Sequence, residues 1–190
     1  MINILISNLL TEIGEDINRE GLKDTPKRIE KMFKEIFKGY DSKKLPKVTT
    51  FLNGQDGIIY DQMIIDTGTF FSMCEHHMLP FYGEYYFGYI PDIKGKILGL
   101  SKVARVVEYF SSKLQIQERL GSEIVKHLWE QLEINNTVGP KGMILVLKAK
   151  HLCKCMRGIK NNGNMITCEI NGVFKKDKVK KEFFDLINIK

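Results

Sequence analysis

Cys74-Glu75-His76-His77 and, far downstream, His151-Leu152-Cys153 bring together the residue types most able to hold a metal ion. Thiolate sulfur and imidazole nitrogen are the donors zinc prefers, at about 2.3 Å and about 2.0–2.1 Å respectively. Cys74 and His77 lie three residues apart, so one helical turn would carry both side chains to the same point. Adding one distant thiol gives three protein ligands. Zinc held by three ligands keeps a fourth position for water, which is the arrangement of a catalytic rather than a closed structural site.

The downstream segment sharpens under period-two geometry. Met143, Leu145, Leu147 and Ala149 share one side of a predicted strand, and His151, Cys153, Cys155 and Arg157 continue the same parity. If the chain stays extended, an imidazole, two thiols and a guanidinium all face one cavity. Parity does not choose between Cys153 and Cys155, and free cysteines also serve as small buried hydrophobes. The remaining thiol, Cys168, falls in a predicted strand and reads as core. Clustered cysteines in a chain without a secretion signal point to metal binding rather than disulfides, and to the cytoplasm.

A second constellation surrounds Ser101, expected to cap a helix. Lys102 and Arg105 add two cations to its first turn, where free N–H groups and the helix dipole already favour an anion. Gly99 lets a ligand approach the backbone. These features make a phosphate site, although Gly-Leu-Ser-Lys lacks P-loop spacing; the alternative is a cationic helix face in solvent. Gln117-Glu118-Arg119 opens the next predicted helix. Its carboxylate either complements the helix dipole or, beside Gln117, accepts the donors of a base such as guanine.

Positioning these groups requires a folded core, and 190 residues at 43% hydrophobic and 27% charged supply one domain. No apolar stretch reaches the ~20 residues needed to span a bilayer. The opening MINILISNLL soon meets Glu12, Glu15 and Asp16 and reads as a helix, not a signal peptide. The net charge of +6 favours an anionic partner, though Lys175, Lys176, Lys178, Lys180 and Lys181 read as solvated surface. Thr25 is expected to cap a second helix with Pro26 in its first turn, and Gly39 to end it. Strands are predicted at 62–73, 82–90, 142–151 and 165–174. Helices are expected from Ser101, along Ile116-Leu120-Ile124-Leu128-Leu132, and near 178–188. The order β-β-α-α-β-β indicates an α+β domain with an antiparallel sheet.

Taken together, the motifs resemble those of the GTP cyclohydrolase I family. The resemblance is carried by Gly-Leu-Lys-Asp-Thr-Pro-Lys-Arg at 21–28, Cys-Glu-His-His at 74–77, Gly-Leu-Ser-Lys at 99–102, Gln-x-Gln-Glu-Arg-Leu at 115–120, His-x-Cys at 151–153 and Met-Arg-Gly at 156–158. It implies the tunnelling fold, with a helical part at 1–40 and the core at 60–188, and a homodecamer with active sites at subunit interfaces. It implies that GTP and water give formate and 7,8-dihydroneopterin triphosphate, the entry to folate or tetrahydrobiopterin synthesis. By matching motif, Cys74, His77 and Cys153 would hold Zn2+, which selects Cys153 over Cys155, and His76 and His151 would be the acid/base pair. Gln117 and Glu118 would meet the guanine; Arg28, Ser101, Lys102, Arg105 and Arg157 would surround the triphosphate.

Departures from the family pattern are Ser112-Lys113 where two basic residues are common, the 161–166 loop that replaces a Thr/Ser-rich strand while keeping Thr167, and the additional thiol of Cys155. Two other readings compete. A fold relative with different chemistry, such as a deazapurine nitrile reductase, would lack the zinc constellation. A structural-zinc module binding nucleic acid would need four closed ligands and exposed aromatics among the cations; neither nucleic acid nor a membrane is expected as a partner.

Overall fold

The structure, a computed structural model, describes residues 1–135 and 137–188. Two helices, α1 (Ile2–Glu12) and α2 (Thr25–Ile36), precede the short strand β1 (Thr50–Leu52). Strands β2 (Ile64–Cys74) and β3 (Pro80–Ile90) follow, then β4 (Lys96–Leu98), α3 (Lys102–Ser111), the two-residue β5 (Leu114–Gln115) and α4 (Gln117–Glu133). The chain returns through β6 (Gly142–His151), the single turn α5 (Leu152–Cys155), β7 (Met165–Gly172) and α6 (Asp177–Ile187). The main sheet has the order β5-β2-β3-β6-β7. All its pairings are antiparallel except β5, which runs parallel to β2 and pairs Met73 with Leu114 and Cys74 with Gln115. The α+β class and the β-β-α-α-β-β order of the tunnelling fold are both present.

Strand β6 is buried on both faces, and its parity divides the core. Met143, Leu145, Leu147 and Ala149 join Leu120, Ile124, Leu128 and Leu132 of α4 and Val103, Val106 and Val107 of α3. Ile144 and Val146 point the other way, onto Phe174 and Phe183. Each such side chain removed from water contributes about 1.5–3 kcal/mol, so this double burial makes β6 the most firmly held strand. Phe183 reaches the sheet over Gly88, where a Cβ would stand 2.7 Å from its ring. The heptad-like run on α4 and the odd parity of β6 therefore meet as the sequence implies.

Three local expectations are corrected. Asp24, not Thr25, occupies the N-cap of α2, and its side chain makes no capping bond; Thr25 and Pro26 are the first two helical residues. Gly39 does not stop α2 by a left-handed turn. It sits in a 3-10 turn, where its N–H donates to the Ser112 carbonyl and a Cβ would meet the Tyr109 carbonyl oxygen at 2.4 Å. Cys168 is exposed on the edge strand β7 rather than buried, because no further strand covers it.

Candidate metal and substrate site

Cys74 is the last residue of β2, and its buried side chain continues the inner face of Phe70 and Ser72. The chain then reverses within five residues. The Met78 N–H donates to the Cys74 carbonyl at 2.8 Å and the Cys74 N–H to the Leu79 carbonyl at 2.9 Å, with Met78 at φ 51°. Glu75, His76 and His77 thus ride an exposed hairpin turn between β2 and β3. The helical turn expected from the spacing is a hairpin turn instead, and it does not bring the His77 ring to Cys74.

The second segment changes conformation where its chemistry begins. The extended run of β6 ends at His151, and residues 152–155 make a helical turn. Successive residues in a helix diverge by about 100°, so side chains two apart point to opposite sides. The expected common face of His151, Cys153, Cys155 and Arg157 is therefore broken after His151. Cys153 turns inward, with its Sγ 3.7 Å from that of Cys74. Ligand atoms of Cys74, His151 and Cys153 all lie within 4.8 Å of one another, whereas neither His77 nor Cys155 belongs to this cluster. His76 stands beside it, its Nδ1 3.5 Å from the Cys74 sulfur.

His151 is fixed from two sides. Its ring stacks on Phe81, its cross-strand partner, at 4.5 Å between centroids and 4° between planes. Its Nε2 lies 2.8 Å from Oε1 of Gln117. The buried Gln117 amide donates to the carbonyls of Leu147 and Met165 and to the Thr167 hydroxyl, so its oxygen must accept. Nε2 of His151 therefore carries the proton, and Nδ1 keeps the lone pair. Burial lowers the His151 pKa, partly offset by the nearby Glu118 carboxylate. Burial, and then the Cys74 neighbour, push the Cys153 thiol up. Two thiols in contact and a neutral imidazole form a soft donor set whose ionisation a cation would relieve, and in this respect the residues fit zinc.

A polar chain ties the hairpin turn to α4. Glu75 forms an ion pair with Arg119, which holds its carboxyl below the usual range. Arg119 also donates to Oε1 of Gln115 at 2.9 Å and to the Leu114 carbonyl at 3.3 Å. The fully buried Gln115 amide in turn donates to Glu123 at 2.7 Å. The Glu75 N–H donates to the Gln115 carbonyl. Sequence reasoning missed this clamp and the Phe81 stack. The strand register alone would have disclosed the second, since it sets Phe81 opposite His151.

The remaining candidates are dispersed. Glu118 is exposed on the first turn of α4, beside the cluster. Exposed Arg157 follows α5, with its Nη1 2.8 Å from Nε2 of His77. Arg28 is exposed on the first turns of α2 and pairs with Asp24 at 3.7 Å. Ser101, Lys102 and Arg105 sit at the α3 N-terminus, but the Ser101 side chain makes no capping bond. That end of α3 lies beside Ile64 and Ile65, where β2 begins. The other end reaches Ser72, whose hydroxyl donates to the Ser111 carbonyl at 2.8 Å, near where β2 finishes at Cys74. The α3 cations therefore sit at the opposite end of that helix from the end of β2 that carries Cys74.

Similarity to known proteins places the chain in a family. The family profile described as GTP cyclohydrolase I matches residues 2–188. A GTP cyclohydrolase 1 of Helicobacter pylori strain G27 is 44% identical over 177 residues, covering 92% of this chain and 93% of that protein. One from Methylococcus capsulatus is 42% identical over 188 residues, covering 98% and 96%. The apo crystal structure of archaeosine synthase QueF-Like superposes on 58% of this chain and 93% of that one, with TM-score 0.42 and 15% identity, too loosely to bear on the site. A profile matched almost from end to end, and relatives above 40% identity covered nearly whole, identify the lineage: the chain belongs to the GTP cyclohydrolase I family.

Proposed function

We propose that this protein hydrolyses GTP to formate and 7,8-dihydroneopterin triphosphate, with zinc held by Cys74, His77 and Cys153. The observation that carries this reading is the contact of the Cys74 and Cys153 sulfurs, 3.7 Å apart beside His151, in a chain of this family. When bound, the ion supplies a Lewis-acid centre that acidifies water at neutral pH.

The chain's own groups handle the nucleotide and the protons. His151 is held by Phe81 and Gln117 with its Nδ1 lone pair free, the state of a general base; once protonated there, it is an acid. His76, with its Nδ1 3.5 Å from the Cys74 sulfur, is the second proton carrier. Together they serve protonation of the purine five-membered ring, loss of its C8 carbon as formate, and the ribose opening and ring closure that yield the pterin. Glu118 accepts the guanine donors. Gln117 presents that region from its anchored amide. Arg157, Arg28, Ser101, Lys102 and Arg105 meet the triphosphate.

The placement of the α3 cations at the opposite end of that helix from the Cys74 end of β2 fits a homo-oligomer, of decamer type in this family, in which a neighbouring copy supplies the phosphate-binding residues. We take residues 1–190 as one functional unit acting in the cytoplasm, at the entry to a folate or biopterin pathway. Among the described residues, no helix is long and apolar enough to cross a membrane.

The test is to incubate zinc-loaded protein with GTP and measure formate together with a pterin that fluoresces after oxidation. Both should appear in equal amounts; neither appearing with metal content confirmed would refute the assignment. Membership of His151 in the close cluster raises one competing reading, in which it is the third ligand and His77 is not. His151→Ala decides between them. It should retain zinc and abolish pterin formation, whereas loss of zinc would make His151 a ligand.

A further inference from the structure

We infer that Arg157 and the metal ion compete for His77, so that capture of the metal releases the Arg157 guanidinium to bind anions. This deepens the reading above and rests on its ligand set.

The argument begins with one hydrogen bond, Arg157 Nη1 to His77 Nε2 at 2.8 Å. A guanidinium only donates and stays charged at every physiological pH. Nε2 of His77 must therefore offer its lone pair, and the ring's single proton resides on Nδ1. A neutral imidazole has just one lone pair. A metal approaching Nε2 displaces Arg157 directly. A metal approaching Nδ1 forces the proton onto Nε2, where an N–H then faces an N–H donor. Both routes break the Arg157 contact, so ligation by His77 and pairing with Arg157 exclude each other.

The consequences reach beyond the metal. His77 is the one side-chain hydrogen-bond partner of Arg157 among the described residues. Arg157 also stands close enough to Cys153 to favour its thiolate, so the guanidinium lies at the rim of the cluster. Its own turn is tight, with the Lys160 N–H donating to the Arg157 carbonyl, Gly158 at φ +61° and Lys160 at φ 49°. Once freed, the five donors of Arg157 stay at the mouth of the site, in a geometry suited to phosphate oxygens. Metal occupancy and anion recognition become coupled, and coupling is reciprocal: an anion that draws Arg157 away must tighten the metal.

Cobalt(II) is the probe, because its thiolate charge-transfer band reports coordination without reference to turnover. Full-length wild type, Arg157→Ala, His77→Ala and the double variant are titrated in competition with a chromophoric chelator. Arg157→Ala should bind cobalt about three- to tenfold more tightly than wild type, the scale of one exposed charged hydrogen bond. In the His77→Ala background most of that gain should disappear, leaving only the smaller electrostatic effect of one removed charge. Sulfate at constant ionic strength should tighten cobalt binding to wild type but not to Arg157→Ala. Equal or weaker binding by Arg157→Ala, or a gain that survives removal of His77 in full, would overturn the competition while leaving the metal site intact. Absence of the thiolate band from wild type would overturn the ligand set itself, and the competition with it.

Discussion

Cys153 and Cys155 show how much a single change of backbone state decides. On a strand they share a face, and the alternation that runs through Met143, Leu145 and Leu147 offers no reason to prefer either. The switch from β6 to the turn of α5 after His151 sends Cys153 to the Cys74 sulfur and Cys155 elsewhere. Local propensity does not announce that switch, because Leu-Cys-Lys-Cys has no cap, proline or glycine to mark it. Residue types and spacing did mark Cys74, His77, His151 and the Cys153/Cys155 pair, since these types are rare and chemically specific, while the choice of Cys153 and the role of His76 came from the family resemblance alone. The supports of those residues were not legible. Phe81 and Gln117 become partners of His151 only through strand register and packing of α4 on the sheet. The expected outcome is asymmetric: Cys153→Ser should lose stoichiometric zinc and more than ~100-fold in turnover, beyond the ~10–100-fold typical of residues that only support a ligand. Cys155→Ser should keep zinc and stay within about twofold of wild-type turnover, on the scale of an ordinary substitution away from special features. Metal analysis with steady-state kinetics on both variants checks this, and loss of zinc from Cys155→Ser would move the thiol site by two residues.

At the scale of elements, the long ones were readable and the short ones were not. Strand β6, strand β3 and helix α4 carry strong periodic patterns that coincide with their burial. Strands β1, β4 and β5 span three, three and two residues, too few for any period, and exist because a partner strand fixes them. Yet β5 matters to the site. It lies parallel to the end of β2, and through Gln115 and Arg119 it fastens the hairpin turn carrying His76 and His77 to the first turn of α4. Arg119 is thus a positioning residue acting through Glu75. The pair is exposed, so solvent screening leaves it little to contribute to stability. Its effect should appear in chemistry instead. Arg119→Ala should unfold within a few degrees of wild type and retain the metal, while kcat falls about tenfold because the turn is no longer held in register with the first turn of α4, proposed above to meet the guanine. KM should change less than kcat, and Arg119→Lys should restore part of the loss. A fall in melting temperature that accounted for the whole activity change would reduce the clamp to a structural role.

The whole molecule raises a problem that one chain does not solve. Helix α1 packs on α2 and buries no residue, leaving Ile4, Leu5, Leu9 and Ile13 more than half exposed. Phe71 on β2 is 70% exposed and stacks on Tyr82 of β3 over another open apolar surface. Exposed apolar area of this extent marks contact surfaces. The cations at the start of α3 meanwhile lie at the end of that helix away from Cys74. The proposed site completed by a neighbouring copy would account for both features, and it makes a prediction that no monomeric enzyme can satisfy. Lys102→Ala and His151→Ala should each be nearly inactive when assembled alone. If the two are denatured together and refolded as a mixture, a site that takes His151 from one copy and Lys102 from its neighbour can combine the two intact residues. For random assembly of equal amounts, about one site in four is restored, so roughly a quarter of wild-type turnover should return. A site built within one chain predicts no recovery at any mixing ratio, because every chain then carries one defect in its own site. Pterin fluorescence measured across the mixing ratios, with its maximum at equal amounts, separates the two architectures.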